Sequence, residues 1–107
     1  MTAIGLLLFD GAEELDFVGP WEVFTMAAKI ESDVRVVTIA ERAEPIRCAK
    51  GMRVLPDHTL SDAPALDVVL VPGGQGTRRE VDNPVLIDWL RRTAPGLSWV
   101  TSVCTGA

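Results

Sequence analysis

Near the end of the sequence, Ser102-Val103-Cys104-Thr105-Gly106 sets a cysteine between small residues two before and two after it. Small residues at those offsets let a strand turn sharply into a helix with a nucleophile at the bend, as in the G-x-S-x-G elbow with Cys in place of Ser. A thiol there would sit at a helix N-terminus, where the dipole favours thiolate over thiol. Taken alone, Cys104 fits equally well as a small buried apolar residue at a strand end. A second segment, Val71-Pro72-Gly73-Gly74-Gln75-Gly76, follows an apolar run. Glycines at the carboxyl end of a strand leave backbone N–H groups able to face developing negative charge, which makes Gly73 and Gly74 candidate donors. A tight loop without any ligand explains them as well. The spacing is no dinucleotide fingerprint, because the third glycine position falls on Arg79, and no Gly-Lys-Ser/Thr follows to make a phosphate loop.

Acids complete the set. Glu13, Glu14 and Asp16 follow the first apolar run. Glu13 and Glu14 read as solvated loop carboxylates. Asp16, flanked by Leu15 and Phe17, reads as drawn inward, where it could exchange a proton with a thiol. His58, the only histidine, reads as an exposed loop residue with no second ligand, and Cys48 as packing. No metal site is expected.

Four apolar runs must carry these residues: Ile4 to Phe9, Val34 to Ala40, Val68 to Val71 and Leu97 to Val103. Continuous apolar runs are what strands buried on both faces look like, as in parallel sheets covered by helices. Gly19-Pro20-Trp21-Glu22 predicts a helix start, with Trp21, Phe24 and Ala28 on one stripe. Asn83-Pro84 predicts a second start, with Leu86, Trp89 and Leu90 facing inward and Pro95-Gly96 as the stop. The three tryptophans, Trp21, Trp89 and Trp99, read as core. Pro45 to Leu55 reads as a hairpin around Ala49-Lys50-Gly51, and residues 56–66 as connection. The order β-α-β-hairpin-β-α-β predicts one α/β unit, an open and mostly parallel sheet with right-handed crossovers. In such sheets ligands bind outside the carboxyl ends of the strands, so an acid, a glycine loop and a thiol converge on one rim.

Composition sets the outer bounds. With 107 residues the chain holds one small domain; 48% hydrophobic and 23% charged residues are ordinary for a globular protein. A net charge of −5 and the lack of any basic patch argue against nucleic-acid binding. No apolar stretch approaches a membrane span, no export signal opens the chain, and two cysteines in a reducing compartment read as free thiols, so a cytoplasmic location is expected.

Taken together, Leu15-Asp16-Phe17-Val18-Gly19-Pro20-Trp21-Glu22-Val23-Phe24, Gly51-Met52-Arg53-Val54-Leu55-Pro56, Asp67-Val68-Val69-Leu70-Val71-Pro72-Gly73-Gly74 and Ser102-Val103-Cys104-Thr105-Gly106-Ala107 resemble the ThiJ/PfpI superfamily. The resemblance implies a flavodoxin-like fold of the class I glutamine amidotransferase kind. It is strongest toward the isonitrile hydratase branch, lyases that add water to an isonitrile to give an N-substituted formamide. By that resemblance Cys104 is the nucleophile, Asp16 the general acid and Thr105 a neighbouring hydroxyl or N–H. Gly73 and Gly74 are then backbone donors, and Gly19 is a helix-start position packed beside the acid. It implies a small-molecule substrate, no cofactor, no nucleic-acid or membrane partner for this segment, and a homodimer in the full-length form. Two other branches resemble the chain: the amidase-like ligand-sensing domain of AraC-type regulators, and redox-sensing or glyoxalase-type members. Asp rather than Glu at position 16 leans away from the deglycase-like members. Family members continue for about another half domain, so residues 1–107 are expected to be an incomplete domain ending just after the nucleophile strand, without the helix that should follow Cys104.

Overall fold

The computed structural model describes residues 1–107. In chain order the elements are β1 (Thr2–Leu7), α1 (Glu14–Ile30), β2 (Val34–Ala40), β3 (Ile46–Arg47), β4 (Arg53–Val54), β5 (His58–Thr59), β6 (Val68–Val71), α2 (Thr77–Glu80), α3 (Pro84–Thr93) and β7 (Trp99–Ser102). The four apolar runs become β1, β2, β6 and β7, all paired in parallel, in the sheet order β5-β2-β1-β6-β7. This is the α/β, mostly parallel open sheet that the sequence predicts. The chain leaves β1 toward β2 on one side and later returns to β6 on the other. The boundary between β1 and β6 is therefore the switch point of the sheet, where loops splay apart and leave a crevice.

Period-two alternation sends successive β1 residues to opposite, covered faces, and β1 is buried from Ala3 onward. Ile4 and Leu6 pack with Leu70 on the face that Phe24 of α1 covers. Ala3 and Leu7 face the other way, into a cluster with Val37, Ile39, Leu66, Val69 and the α3 residues Leu86 and Trp89. One helix thus covers each face. The α3 start follows the predicted chemistry: the Asn83 side chain accepts the Val85 N–H at 3.1 Å, and Pro84 occupies the first turn. The predicted hairpin is also present, with β3 and β4 antiparallel and forming a small sheet of their own.

Other expectations need correction. Helix α1 begins at Glu14, six residues before Pro20, which lies inside it. Tertiary contacts override the local start signal: the Glu13 N–H donates to the Gly73 carbonyl at 2.8 Å, and Phe17 is buried with Leu8, Phe9, Ala12 and Cys48. Residues 58–59, read as connection, form the edge strand β5, pairing with Ile39 and Ala40. His58 is accordingly half-buried, its Nδ1 3.7 Å from Asp62. The short helix α2 has no counterpart in the sequence reading. Of the three tryptophans only Trp89 is core; Trp21 is 42% and Trp99 68% exposed, the latter on the edge strand β7. No helix is long and apolar enough to cross a membrane.

Candidate active site

Three carboxyl strand ends build the rim. After β7 the backbone bends at Cys104, which has φ +54°, the one non-glycine residue in the left-handed region. For an L-residue that conformation costs roughly 1–3 kcal/mol and persists only where the surroundings hold it. Here they do. The Val103 N–H donates to the Val71 carbonyl at 3.0 Å, and Gly106 lies so close to β6 that a Cβ on it would stand 2.2 Å from the Val71 oxygen. Only glycine permits that approach. The Cys104 thiol is free and exposed, so the alternative of a buried packing cysteine does not hold. Beyond it Cys104–Gly106 form a single 3-10 turn.

The loop after β6 is the meeting point of acid and elbow. The Gly73 N–H donates to Asp16 Oδ2 at 3.0 Å, and the Gly74 N–H donates to Thr105 Oγ1 at 3.0 Å. A Cβ on Gly73 would lie 2.9 Å from Asp16 Oδ2, 2.7 Å from the Thr105 nitrogen and 2.8 Å from Thr105 Oγ1. Carboxylate, hydroxyl and amide therefore crowd one point, and any side chain at 73 would drive them apart. Asp16 is half-buried in the first turn of α1, while Leu15 is 73% exposed. Helical geometry, not flanking apolar residues, turns Asp16 toward the loop.

These bonds alter the role read for the glycines. In this structure neither N–H waits for a ligand: one holds Asp16 and the other holds Thr105. The structure thus brings together Asp16, Gly73, Gly74, Thr105 and, through its peptide bond to Thr105, Cys104. Gly19 stands apart. It lies within α1, not at its start, and a Cβ there would meet only the Leu15 side chain, at 3.8 Å.

Two groups escaped the sequence reading. Thr77, at the start of α2, donates to the Gly74 carbonyl at 2.8 Å and approaches Thr105 Oγ1 at 3.3 Å. A threonine just past a glycine loop carries no distinctive sequence signal. Glu13 and Glu14 are also more than solvated acids. Glu13 pairs with Lys50, and the Glu14 carboxylate accepts the backbone N–H groups of Lys50 at 2.9 Å and Met52 at 3.3 Å. Desolvation pushes the Glu14 carboxyl upward, but the backbone donors of Glu14, Met52 and Lys50, with the Lys50 charge, outweigh it and hold the group below its ordinary range. The Lys50 ammonium is raised by its hydrogen bond to Glu13 and by the charges of Glu13, Glu14 and Asp16, against opposing desolvation. No cluster of side chains suited to a metal ion is present. A cavity of about 460 Å³ opens nearby, between the ends of β1 and β2 and α3, but Cys104, Thr105 and Asp16 do not line it.

The DJ-1/PfpI family model matches residues 2–107. The chain belongs to that family. It is 36% identical over 104 residues to isonitrile hydratase from Pseudomonas putida, covering 97% of this chain and 44% of the relative. It is 27% identical to the glutathione-independent glyoxalase DJR-1.2 of Caenorhabditis elegans (98% and 55% covered) and 28% identical to the HTH-type transcriptional regulator GbdR of Pseudomonas aeruginosa (98% and 29%). Among solved structures, a ThiJ/PfpI family protein from Pseudomonas syringae superposes with TM-score 0.87 at 24% identity, over 98% of this chain and 43% of that one. The chain thus spans about half or less of the length of these relatives. Within the family the chain is thus similar to a hydratase, a glyoxalase and a transcriptional regulator alike, and the match does not specify a reaction.

Proposed function

We propose that this chain forms the nucleophile-bearing part of a cysteine-dependent lyase that hydrates isonitriles to N-substituted formamides. The observation that carries the reading is the strained bend at Cys104, which exposes the thiol on the rim beside a Thr105–Gly74–Gly73–Asp16 hydrogen-bond chain. The similarity to isonitrile hydratase supports the choice of reaction.

In this mechanism the Cys104 thiolate attacks the terminal isonitrile carbon and forms a C–S bond. Asp16, acting as the general acid, delivers a proton to that carbon, giving a thioimidate. Asp16, now a carboxylate, draws a proton from water as the oxygen adds to the same carbon and passes that proton to the nitrogen, which leaves Asp16 a carboxylate again. The C–S bond then breaks with its electron pair on sulfur, releasing the formamide; the proton lost from the added hydroxyl returns to Asp16. The sum is one water added to one isonitrile. Gly73 and Gly74 hold Asp16 and Thr105 in place, and the Thr105 N–H, at the residue after the nucleophile, is the backbone donor that faces the reacting carbon and nitrogen. No metal or organic cofactor takes part.

The test is formamide production from a simple aryl or alkyl isonitrile by the full-length protein. Cys104→Ala should abolish it and Asp16→Asn should lower kcat by ~10²-fold or more, the usual scale for losing a general acid. Turnover that survives in Cys104→Ala would exclude the covalent route. The likeness to a transcriptional regulator supports a second reading, ligand sensing without turnover. Saturable binding of an isonitrile with no formamide formed would favour it. For the full-length protein we propose a homodimer, supported by the exposed apolar residues Leu15, Val23, Met26 and Ile30 on α1.

A further inference from the structure

The first turn of α1, which carries Asp16, is weakly held from within the helix. Its cap residue, Glu13, makes no side-chain capping bond. Pro20 has no N–H to give to the Asp16 carbonyl four residues earlier. The hairpin beside it is weak as well, since β3 and β4 are two-residue strands that pair only with each other. Each is held by the other. The Arg47 N–H donates to Asp10 Oδ1 at 2.9 Å, the Gly11 N–H to the Arg47 carbonyl at 2.8 Å, and the Ala49 N–H to the Ala12 carbonyl at 2.8 Å. All of these stop short of the helix. Phe17 of α1 packs against Ile46 and Cys48 of the hairpin, but among the side chains of α1 Glu14 alone hydrogen-bonds to it, accepting the Lys50 and Met52 N–H groups.

We propose that Glu14 is a positioning residue: its carboxylate clasps the β3–β4 hairpin to the first turn of α1 and so holds Asp16 on the Gly73 N–H. The inference rests on the reading of Asp16 as the proton-transferring acid, and it assigns a role in that site to a residue two positions away that contacts neither thiol nor glycine loop. The low-lying Glu14 carboxyl fits a group accepting several N–H bonds. The bond from the Glu13 N–H to the Gly73 carbonyl is the competing tether, and the experiment must separate the two.

The decisive comparison is Glu14→Gln against Glu14→Asp. Oε2 accepts both the Lys50 and the Met52 N–H, so a single glutamine oxygen in its place preserves the clasp, whereas aspartate keeps the charge but falls short by a methylene. Amide hydrogen exchange in the full-length protein reads the geometry at Lys50, Met52 and Gly73 directly. In Glu14→Asp and Glu14→Ala all three amides should exchange at least ~10-fold faster, and kcat for formamide should fall ~10-fold with KM within about twofold, as for a displaced acid. Glu14→Gln should restore Gly73 protection and most of kcat. If the Lys50 and Met52 amides open while Gly73 stays protected, the Glu13 tether suffices and the proposal fails. It also fails if Asp rescues and Gln does not, since charge at the helix start would then be what matters. Because the exchange measurement needs no substrate, absence of formamide from the wild-type protein would defeat the isonitrile reading and leave the clasp still decidable. Should Glu14→Ala not fold, the Gln and Asp variants give the answer.

Discussion

The two cysteines of this chain sit at opposite extremes of environment. Cys104 is exposed, has φ +54°, and follows the edge strand β7. Cys48 is buried beside the hairpin among Leu8, Phe9, Ala12, Phe17 and Ile46, and its N–H is satisfied by the Met52 carbonyl at 2.8 Å. Burial, reinforced by the charges of Glu14, Asp10 and Glu13, pushes the Cys48 thiol up to about 11. One thiol is spent on packing and the other is displayed at a backbone cost. The difference teaches that the bend and its neighbours, and not residue type, set the two thiols apart, since the residue is the same in both places.

The contrast breaks first on mutation. Cys104→Ala should lower formamide production by ~10³-fold or more, while Cys48→Ala should leave it within about threefold; comparable losses would erase the distinction. Iodoacetamide at pH 8 should correspondingly label Cys104 alone in the folded protein, as read by peptide mass mapping. Gly106→Ala tests whether the bend is what matters: with the Val71 oxygen only 2.2 Å from the new Cβ, the turn must shift. We expect a stability loss of ~1–3 kcal/mol in denaturant unfolding, typical of overpacking, and a kcat reduced ~10-fold although Cys104 remains. Thr77→Val removes the hydroxyl that braces Thr105 and the Gly74 carbonyl, and should cost about 1 kcal/mol or less in kcat/KM, the worth of one neutral hydrogen bond.

The smallest effect lies with Cys48 and pH. Its folded-state pKa is raised above the ordinary 9.0. The neutral thiol is thus favoured in the fold, and the stability it contributes is present below about pH 9 and lost as pH climbs toward about 11. The thermal midpoint should fall more steeply across that window in the wild type than in Cys48→Ala. Parallel curves would mean that Cys48 ionises as freely folded as unfolded.

Some of this was legible in the residues. The continuous runs of β1, β2 and β6 announce a parallel sheet because strands covered on both faces need no polar alternation. Asn83-Pro84 announces α3 because its cap is satisfied locally. Where local and long-range forces compete, the reading slips. Pro20 resembles a helix start, yet bonds from Glu13 to a loop 60 residues away begin α1 earlier. Strand β5 is two residues long and exists only because Ile39 and Ala40 offer it an edge. At the candidate site, Cys104, Asp16 and the glycine loop stand out in the sequence, but Thr77 and Glu14 do not, since Thr77 meets Thr105 28 positions away and Glu14 meets Lys50 and Met52 36 and 38 positions away.

The sequence by itself determined the strand order of chemistry along the chain: an acid after the first strand, glycines after a later one, a thiol between small residues after the last. It could do so because hydrophobic period and turn chemistry act over a few residues. Only the tertiary structure decided what the glycine N–H groups are for. Sheet register sets Gly73 against Asp16 and Gly74 against Thr105, so donors that look free in the sequence hold the Asp16 carboxyl and the Thr105 hydroxyl instead. Hydrogen-bond partners are chosen by which strand ends meet, and that is settled when the core packs.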